Sequence, residues 1–330
     1  MKRFFCKRRF TGGTALLFLF VYALPAAFLL AGCGDPSNSG SGEEPSAPEP
    51  APVMENWDEI ASYLAGKPEN TADTPYRLKL TGFDFSEHGM FPGVCEQFGN
   101  KYVDLDLSEC TGTAFDSGGG GKGNIVSLIL PESLAILPEG AFEGYGVLTS
   151  VTVSGAIAIG DRAFRNCGNL ETLSLPPRIT AAVSGAFAGC PNLTFAVREG
   201  RGNLTAPEGK RLALNGNTLL AVAEAGISGG ACEVPEGFRE LGTASFAGLP
   251  ITSVTIPASV DKIGAGAFAG CTALGRADIY AVSPPEITLS GTGRSFPGNV
   301  TIRVPSASVS AYRTAWAEQF SPESFTGLTE

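Results

Sequence analysis

The amino-acid sequence predicts an α/β-type solenoid built from short parallel strands, with a helical cap at each end. The first observation is a repeat, because an Ala-Phe or Ser-Phe pair recurs with spacings of 22, 23, 59 and 22 residues, at Phe142, Phe164, Phe187, Phe246 and Phe268. A fixed period of this length is the signature of stacked structural repeats. The second observation is the apolar run that opens each copy and alternates with small polar residues, as in residues 148–153. This period of two is typical of a half-buried strand.

The second half of each copy predicts a short helical or 3₁₀ turn that returns the chain to the next strand. It carries an apolar residue before a glycine or another small residue, and then the phenylalanine, as in residues 159–164. One unit cannot bury its own apolar side. Stacked units are therefore expected to share one core in which each phenylalanine lies on the next.

Two amphipathic segments flank the repeats and predict the caps. Trp57, Ile60 and Leu64 fall at helical spacing in residues 55–64, and residues 308–320 show a similar apolar face. Because the exposed ends of a solenoid must be covered, both segments are expected to be capping helices. The segments 76–80 and 102–107 alternate as strands and would place two basic residues opposite two acidic ones.

The repeat pattern L-x-S-V-x-I-P-x-S-V-x-x-I-G-x-x-A-F-x-x-C-x-x-L resembles the Treponema pallidum-type leucine-rich repeat of BspA-like bacterial surface proteins. The clearest copies are residues 126–193 and 231–274, and the resemblance extends over residues 77–320. It implies a leucine-rich repeat array of 22–23-residue units. Such scaffolds bind many kinds of partner, so the resemblance indicates the fold more specifically than the function.

The leader of the chain predicts export and a lipid anchor. Five basic residues precede the apolar run Ala15–Ala31, and the run ends in Leu-Ala-Gly-Cys at Cys33, which resembles a bacterial lipobox. On that resemblance residues 1–32 are a lipoprotein signal peptide, and Cys33 is the first mature residue and carries the lipid. The alternative is an uncleaved membrane anchor, because about 18 apolar residues nearly span a bilayer.

The rest of the chain divides into four predicted parts. Residues 33–54 are a flexible Gly/Ser/Pro/Glu linker, and residues 55–124 are an N-terminal cap with degenerate repeats. Residues 125–274 are the repeats, and residues 275–330 are the C-terminal cap. An insert at 195–230 contains Asn215-Gly216 between two apolar runs, which predicts a hairpin. The insert is expected to fill the 59-residue gap without breaking the stack.

Charge and composition exclude some classes of partner. The net charge is −10, and 18 basic and 33 acidic residues remain after residue 32, a balance of −15. A nucleic-acid partner requires a basic face, so none is expected. The same balance disfavours electrostatic docking on anionic lipid.

Cysteine and histidine patterns argue against catalysis and metal binding. Cys167, Cys190 and Cys271 each follow a repeat phenylalanine by three residues, in a slot that other repeats fill with tyrosine or leucine. They and Cys232 are expected to be buried free thiols, and Cys95 and Cys110 are a candidate disulfide pair. No spacing typical of a zinc site exists, and the single histidine, His88, has no partner motif. We expect no enzyme activity, no cofactor and no metal.

Outward strand positions form the candidate binding face. They fall in two columns of short hydroxyls with acidic spots along the concave side of the solenoid, and the candidate residues are Ser127, Ser150, Thr152, Thr172, Ser174, Glu233, Ser253 and Thr255. The alternative is that serine and threonine simply suit exposed strand positions.

These features predict a lipid-anchored protein of the bacterial cell envelope, exposed on the cell surface. Its function is expected to be adhesion or interaction scaffolding, with a protein or glycan partner engaged through the solenoid face. The alternative is a structural or assembly lipoprotein inside the envelope that binds another envelope component.

Overall fold

The computed structural model describes residues 50–113, 123–156, 158–182, 184–289 and 294–328. The predicted signal peptide, Cys33 and most of the linker lie outside these residues. The α-helices of the described part are α1 Trp57–Ala65, α2 Met90–Glu96 and α3 Val309–Ala315. Its strands are β1 Val53–Met54, β2 Tyr76–Asp84, β3 Val103–Thr111, β4 Ile125–Ile129, β5 Ile136–Leu137, β6 Ser150–Thr152, β7 Ala158–Ile159, β8 Thr172–Leu175, β9 Thr194–Val197, β10 Leu204–Thr205, β11 Arg211–Leu214, β12 Thr218–Val222, β13 Ala231–Glu233, β14 Glu240–Leu241, β15 Ser253–Ile256, β16 Lys262–Ile263, β17 Arg276–Ile279, β18 Glu286–Ile287, β19 Thr301–Pro305 and β20 Phe325–Leu328.

The main strands of successive coils stack into parallel sheets, which confirms the predicted solenoid. The first sheet has the order β1-β2-β3-β4-β6-β8-β9, and the second has the order β13-β15-β17-β19-β20. Each strand turns one row of apolar side chains inward, so that Leu128, Val151 and Leu173 pair in register and are almost fully buried. Alternation along each strand leaves the remaining side chains on the outer face.

A second row of two-residue strands lies on another side of the coils. β5 pairs with β7, and β14 pairs with β16, which pairs with β18, all in parallel. Each such strand precedes the turn that carries the repeat phenylalanine. One coil therefore consists of a main strand, a short second strand and a turn.

The phenylalanines stack on one another as predicted, within each of two groups. The rings of Phe142 and Phe164 are stacked with centroids 5.6 Å apart, and those of Phe164 and Phe187 are 6.2 Å apart. In the second group Phe246 and Phe268 are 4.8 Å apart. Phe296, which the sequence pattern did not include, continues this stack at 4.6 Å from Phe268.

The insert contains the hairpin that Asn215-Gly216 signals. β11 and β12 pair antiparallel, and the turn is closed by a 3.2 Å hydrogen bond from the Asn217 amide to the Leu214 carbonyl. Asn215 and Gly216 both have positive φ, at 54° and 72°, as a type I′ turn requires. Strand β12 then pairs in parallel with β14, so the hairpin joins the second row of strands.

The expectation that the insert leaves the stack unbroken is wrong for the main sheet. Among the pairings of the described residues, β9 pairs with β8 and β13 pairs with β15, and none joins β9 to β13. The phenylalanine stack stops at the same place, since Phe187 packs edge-on against Phe195. The apolar core is likewise divided into two clusters, which meet at the hairpin. The physical reason is that the insert supplies a strand to the second row of strands but no main strand between β9 and β13.

A glutamate of the insert accepts one of the backbone hydrogen bonds that are lost where the main sheet is interrupted. In the earlier coils a turn amide donates to the next coil, as Asn166 does to the carbonyl of Ala188 at 2.8 Å. At the break, the Gly189 amide donates instead to the carboxylate of Glu224. A side-chain oxygen thus accepts the hydrogen bond that a backbone carbonyl of a directly stacked coil would have accepted.

The helices differ in part from the prediction. Helix α1 begins after Asn56, whose side chain accepts a 3.1 Å hydrogen bond from the Glu59 amide, and it buries Ile60 and Leu64. Helix α3 packs on β19 and β20 but ends at Ala315, so the predicted helix over 308–320 is too long. The chain leaves helical geometry at Trp316, whose indole nitrogen donates to the carbonyl of Pro285 at 3.0 Å. The capping role of α1 and α3 stays a prediction.

Helix α2 and strand β20 are elements that the sequence patterns did not indicate. Residues 90–96 lie in the part predicted to be an N-terminal cap with degenerate repeats, and residues 325–328 extend the second sheet beyond β19. No helix of the described residues is long and apolar enough to cross a membrane.

Candidate functional site

The first sheet brings five of the predicted face residues together. Its register aligns Ser127, Ser150 and Thr172 in one column, which also contains Arg77 and Asp104. The neighbouring column contains Ile129, Thr152 and Ser174 and begins at Asp106. These side chains are half-buried or exposed, as outward positions require.

The other three face residues lie on the second sheet. Glu233 and Thr255 are partners in one column, and Ser253 belongs to the other. Because β9 and β13 are not paired, the predicted face is two separate faces rather than one. We call them the first-sheet face and the second-sheet face.

Acidic residues at the start of the first-sheet face are held by hydrogen bonds. The Ser127 hydroxyl donates to Asp104 at 2.6 Å, next to a concavity of 230 Å³ that Arg77, Asp106 and Ile129 also line. The register places Arg77 opposite Asp104 and Lys79 opposite Asp106, as predicted. Lys79, however, forms its 2.8 Å ion pair with Glu109, which lies three residues further along β3 than Asp106.

The second-sheet face carries a charged cluster that the sequence analysis missed. Arg303 donates two hydrogen bonds, of 2.6 and 2.7 Å, to the Asp278 carboxylate in a bidentate arrangement. Arg276 approaches the same carboxylate at 3.4 Å. The hydrogen bonds to Asp278 raise the pKa of Arg303 above its ordinary value. One carboxylate thus faces two guanidinium groups, which leaves positive charge directed at solvent.

One large side chain extends this cluster. Tyr280 occupies the next outward position after Asp278 and is 50% exposed. We call Arg276, Asp278, Tyr280 and Arg303 the arginine–tyrosine patch. The sequence contains a signal for this patch. Residues 276 and 278 follow Leu274 by two and four residues, just as residues 253 and 255 follow Ile251, and they therefore occupy the equivalent strand positions.

Cysteine side chains of the described part are buried free thiols. Three of them donate a hydrogen bond to the backbone carbonyl of a repeat phenylalanine. The distances from Sγ to the carbonyl oxygen are 3.1 Å for Cys167, 3.0 Å for Cys190 and 2.9 Å for Cys271. Cys95 and Cys110, the candidate disulfide pair, are both free in the structure.

Burial makes four of these thiols poor nucleophiles. Desolvation raises the pKa of Cys95 and of Cys271 to about 12, and that of Cys110 and of Cys232 to about 11. The thiolate is the reactive form, and it is scarce at neutral pH when the pKa is this high. His88 lies exposed in the turn before α2. No group of three or more His, Cys, Asp or Glu side chains in the described residues could hold a metal ion.

Comparison with known families identifies the repeats. The family described as BspA type leucine rich repeat region matches residues 120–199 and 230–284 in six copies. No curated protein matches the sequence.

Solved structures of bacterial repeat proteins are similar to this chain at low identity. A leucine rich cell surface protein from Faecalibacterium prausnitzii is 20% identical, with 79% of this chain and 75% of that chain covered and a TM-score of 0.44. A leucine-rich repeat protein from Eubacterium ventriosum is 17% identical, with 73% and 72% covered and a TM-score of 0.37. The pneumococcal vaccine antigen PcpA is 15% identical, with 77% and 76% covered and a TM-score of 0.37.

Proposed function

We propose that this chain, in which residues 120–199 and 230–284 are BspA-type leucine-rich repeats, is a lipid-anchored binding protein of the bacterial cell surface. It acts as an adhesin or interaction scaffold, and its partner is a protein or a glycan. The lipobox-like end of the leader, with Cys33 as the lipidated residue, and the linker at 33–54 support the anchor.

The arginine–tyrosine patch is the observation that carries the binding role. Tyrosine and arginine are the residue types that contribute most energy at protein interfaces, and here both lie on an outer strand face. Asp278 fixes Arg303 by a bidentate contact, so less side-chain entropy is lost when a ligand binds. Glu233, Ser253 and Thr255 add hydrogen-bonding groups on the same sheet.

The first-sheet face is a second contact area of the same protein. Its hydroxyl columns, Ser127, Ser150, Thr152, Thr172 and Ser174, offer hydrogen bonds to sugar hydroxyls or to a peptide backbone. These five side chains include neither a large aromatic ring nor a guanidinium group, and their own contribution to affinity is therefore modest.

A structural or assembly lipoprotein inside the envelope is the second candidate. The same leader and linker favour it, because a lipid anchor and a flexible stalk serve either location. Location separates the two candidates, since an adhesin must be reached from outside the cell.

Binding is tested with the fragment Pro50–Glu330, which is one compact unit. A glycan array and a panel of extracellular-matrix proteins are screened, and each ligand found is titrated against Tyr280→Ala. We expect binding to weaken roughly thirtyfold, the effect of losing an interface residue worth about 2 kcal/mol. Ile136→Ala is the control, because Ile136 is similarly exposed, at 52%, on the second row of strands.

Two outcomes would count against this assignment. If Tyr280→Ala binds every ligand like the wild type while a Ser150→Lys/Thr172→Lys variant loses binding, the first-sheet face is the binding site. If neither variant changes binding, the strand faces do not bind the ligand.

A further inference from the structure

We infer that a second binding site, for the oxyanion groups of an acidic polysaccharide, lies where the turns after three main strands meet. Its residues are Arg178, Arg198 and Arg201, which we call the arginine triad. They line a concavity of 380 Å³ together with Glu132, Ser154, Pro176, Pro177, Glu199 and Gly200. The site lies at the end of the strands rather than on either strand face, so its existence does not depend on the proposed function.

Backbone carbonyls hold two guanidinium groups of the triad side by side. Arg178 follows β8, and it donates through Nε to the carbonyl of Gly155 and through one Nη to that of Ser154, both at 3.1 Å. Arg198 follows β9 and donates to the carbonyls of Val153 at 2.9 Å and Ser154 at 3.2 Å. The two side chains therefore share Ser154 as an acceptor, and the turn after β6 fixes their positions.

The third arginine is placed by the glycines on either side of it. A Cβ at Gly202 would lie 2.0 Å from the carbonyl oxygen of Pro177, and one at Gly200 would lie 3.1 Å from the Pro177 ring. Only glycine permits so close an approach. The loop that carries Arg201 is thereby pressed against the turn that carries Arg178.

No ion pair between described residues involves the arginines of the triad. Between described residues, ion pairs are formed by other basic side chains, namely Lys79, Arg162, Arg211, Arg239, Lys262, Arg276 and Arg303. Glu132 and Glu199 line the same concavity, but neither forms an ion pair with the triad. Carbonyl acceptors orient a guanidinium group without cancelling its charge. Like charges held together in this way are stabilised by an external anion.

An acidic polysaccharide is the ligand that this site fits best. Each guanidinium group retains donors beyond those used by the carbonyls, and carboxylate, sulfate and phosphate groups match that donor fork. The concavity is open and lies in a protein whose balance after residue 32 is −15. An anionic membrane would meet that whole charge at once, whereas a polysaccharide strand presents its oxyanions singly to the arginine triad.

The experiment uses the full-length chain, purified in detergent and immobilised. Dextran sulfate and polygalacturonate are titrated at low and high salt, with uncharged dextran and phosphatidylglycerol vesicles as further probes. We expect both acidic polymers to bind at low salt and to be released at high salt, and the two neutral or lipid probes not to bind. The R178Q/R198Q double variant is expected to weaken binding about tenfold, because charge-assisted hydrogen bonds are lost.

A matched double variant separates the triad from diffuse charge. R162Q/R239Q removes the same number of positive charges from arginines that are paired with Glu139 and Asp261. It should bind the acidic polymers like the wild type. If R178Q/R198Q fails to fold, R201Q tests the same site, because Arg201 makes no side-chain hydrogen bond to another described residue.

Three results would overturn the inference. Equal weakening in both double variants would mean that overall charge, and not the triad, is responsible. Absence of binding by either acidic polymer to the wild type would remove the site. Vesicle binding that is lost in R178Q/R198Q would assign the triad to lipid headgroups instead.

Discussion

Phe164→Ala is expected to lower the free energy of unfolding of the fragment Pro50–Glu330 by about 4 kcal/mol. Phe164 is fully buried, and its ring lies between those of Phe142 and Phe187 in the first phenylalanine stack. Truncation to alanine leaves a cavity between two coils that the stacked backbones cannot close. Urea unfolding followed by circular dichroism measures the loss.

Two further variants show whether the stack is the cause. Phe164→Leu refills most of the cavity and should cost less than half as much as alanine. Ile136→Ala removes a side chain that is 52% exposed, and its cost should stay within about 0.5 kcal/mol. A cost for Phe164→Ala no larger than that of Ile136→Ala would contradict the shared core.

Gly160→Ala is expected to destabilise the same fragment by about 3 kcal/mol. A Cβ at this position would lie 2.7 Å from the backbone nitrogen of Glu139 and 2.8 Å from the carbonyl carbon of Pro138. Both atoms belong to the preceding coil, whose backbone is held by the hydrogen bond from the Gly160 amide to the Leu137 carbonyl, at 2.8 Å. The coils would have to separate for the methyl group to fit. The decrease in the urea midpoint measures the cost.

Gly168→Ala is the matched control in the same repeat. Its Cβ would meet nothing within 4 Å, and its φ is not in the left-handed region. Alanine there should leave stability unchanged or raise it by up to about 1 kcal/mol, because the unfolded chain becomes less flexible. Equal effects of the two substitutions would show that coil-to-coil contact at Gly160 is not what requires glycine.

The repeat unit was predictable from the sequence because each of its features recurs. The period placed Phe142, Phe164 and Phe187 in one stack, and the alternation placed Ser150 and Thr172 in one column. Both follow from the fact that each coil must bury the same side as its neighbours. A feature that recurs in every coil can be recognised from the amino-acid sequence alone.

What the sequence did not predict lies where the period is interrupted. The length of the insert was visible, but whether its strand would continue the main sheet depended on pairing partners that no local pattern specifies. Strand β12 joins β14 in the second row of strands, and the main sheet therefore ends at β9.

The arginine–tyrosine patch and the arginine triad were missed for a related reason. Arg303 lies beyond the clearest repeats, and only the register of β17 and β19 brings it opposite Asp278. Arg178 and Arg198 are separated along the chain and are brought together by the turn at Ser154. Such juxtapositions come from the stacking of coils and not from spacing within one coil.

Protease treatment of intact cells tests the central claim most directly, namely that this protein is tethered at the cell surface and binds there. An antibody to the unit Pro50–Glu330 follows the protein, and a cytoplasmic protein controls for lysis. The predicted flexible linker at 33–54 should be cut readily if it is exposed, since exposed flexible segments are preferred sites of proteolysis. We expect the antibody signal to disappear from intact cells while the cytoplasmic control persists. Protection of the signal until the envelope is broken would contradict the surface role and favour a partner inside the envelope.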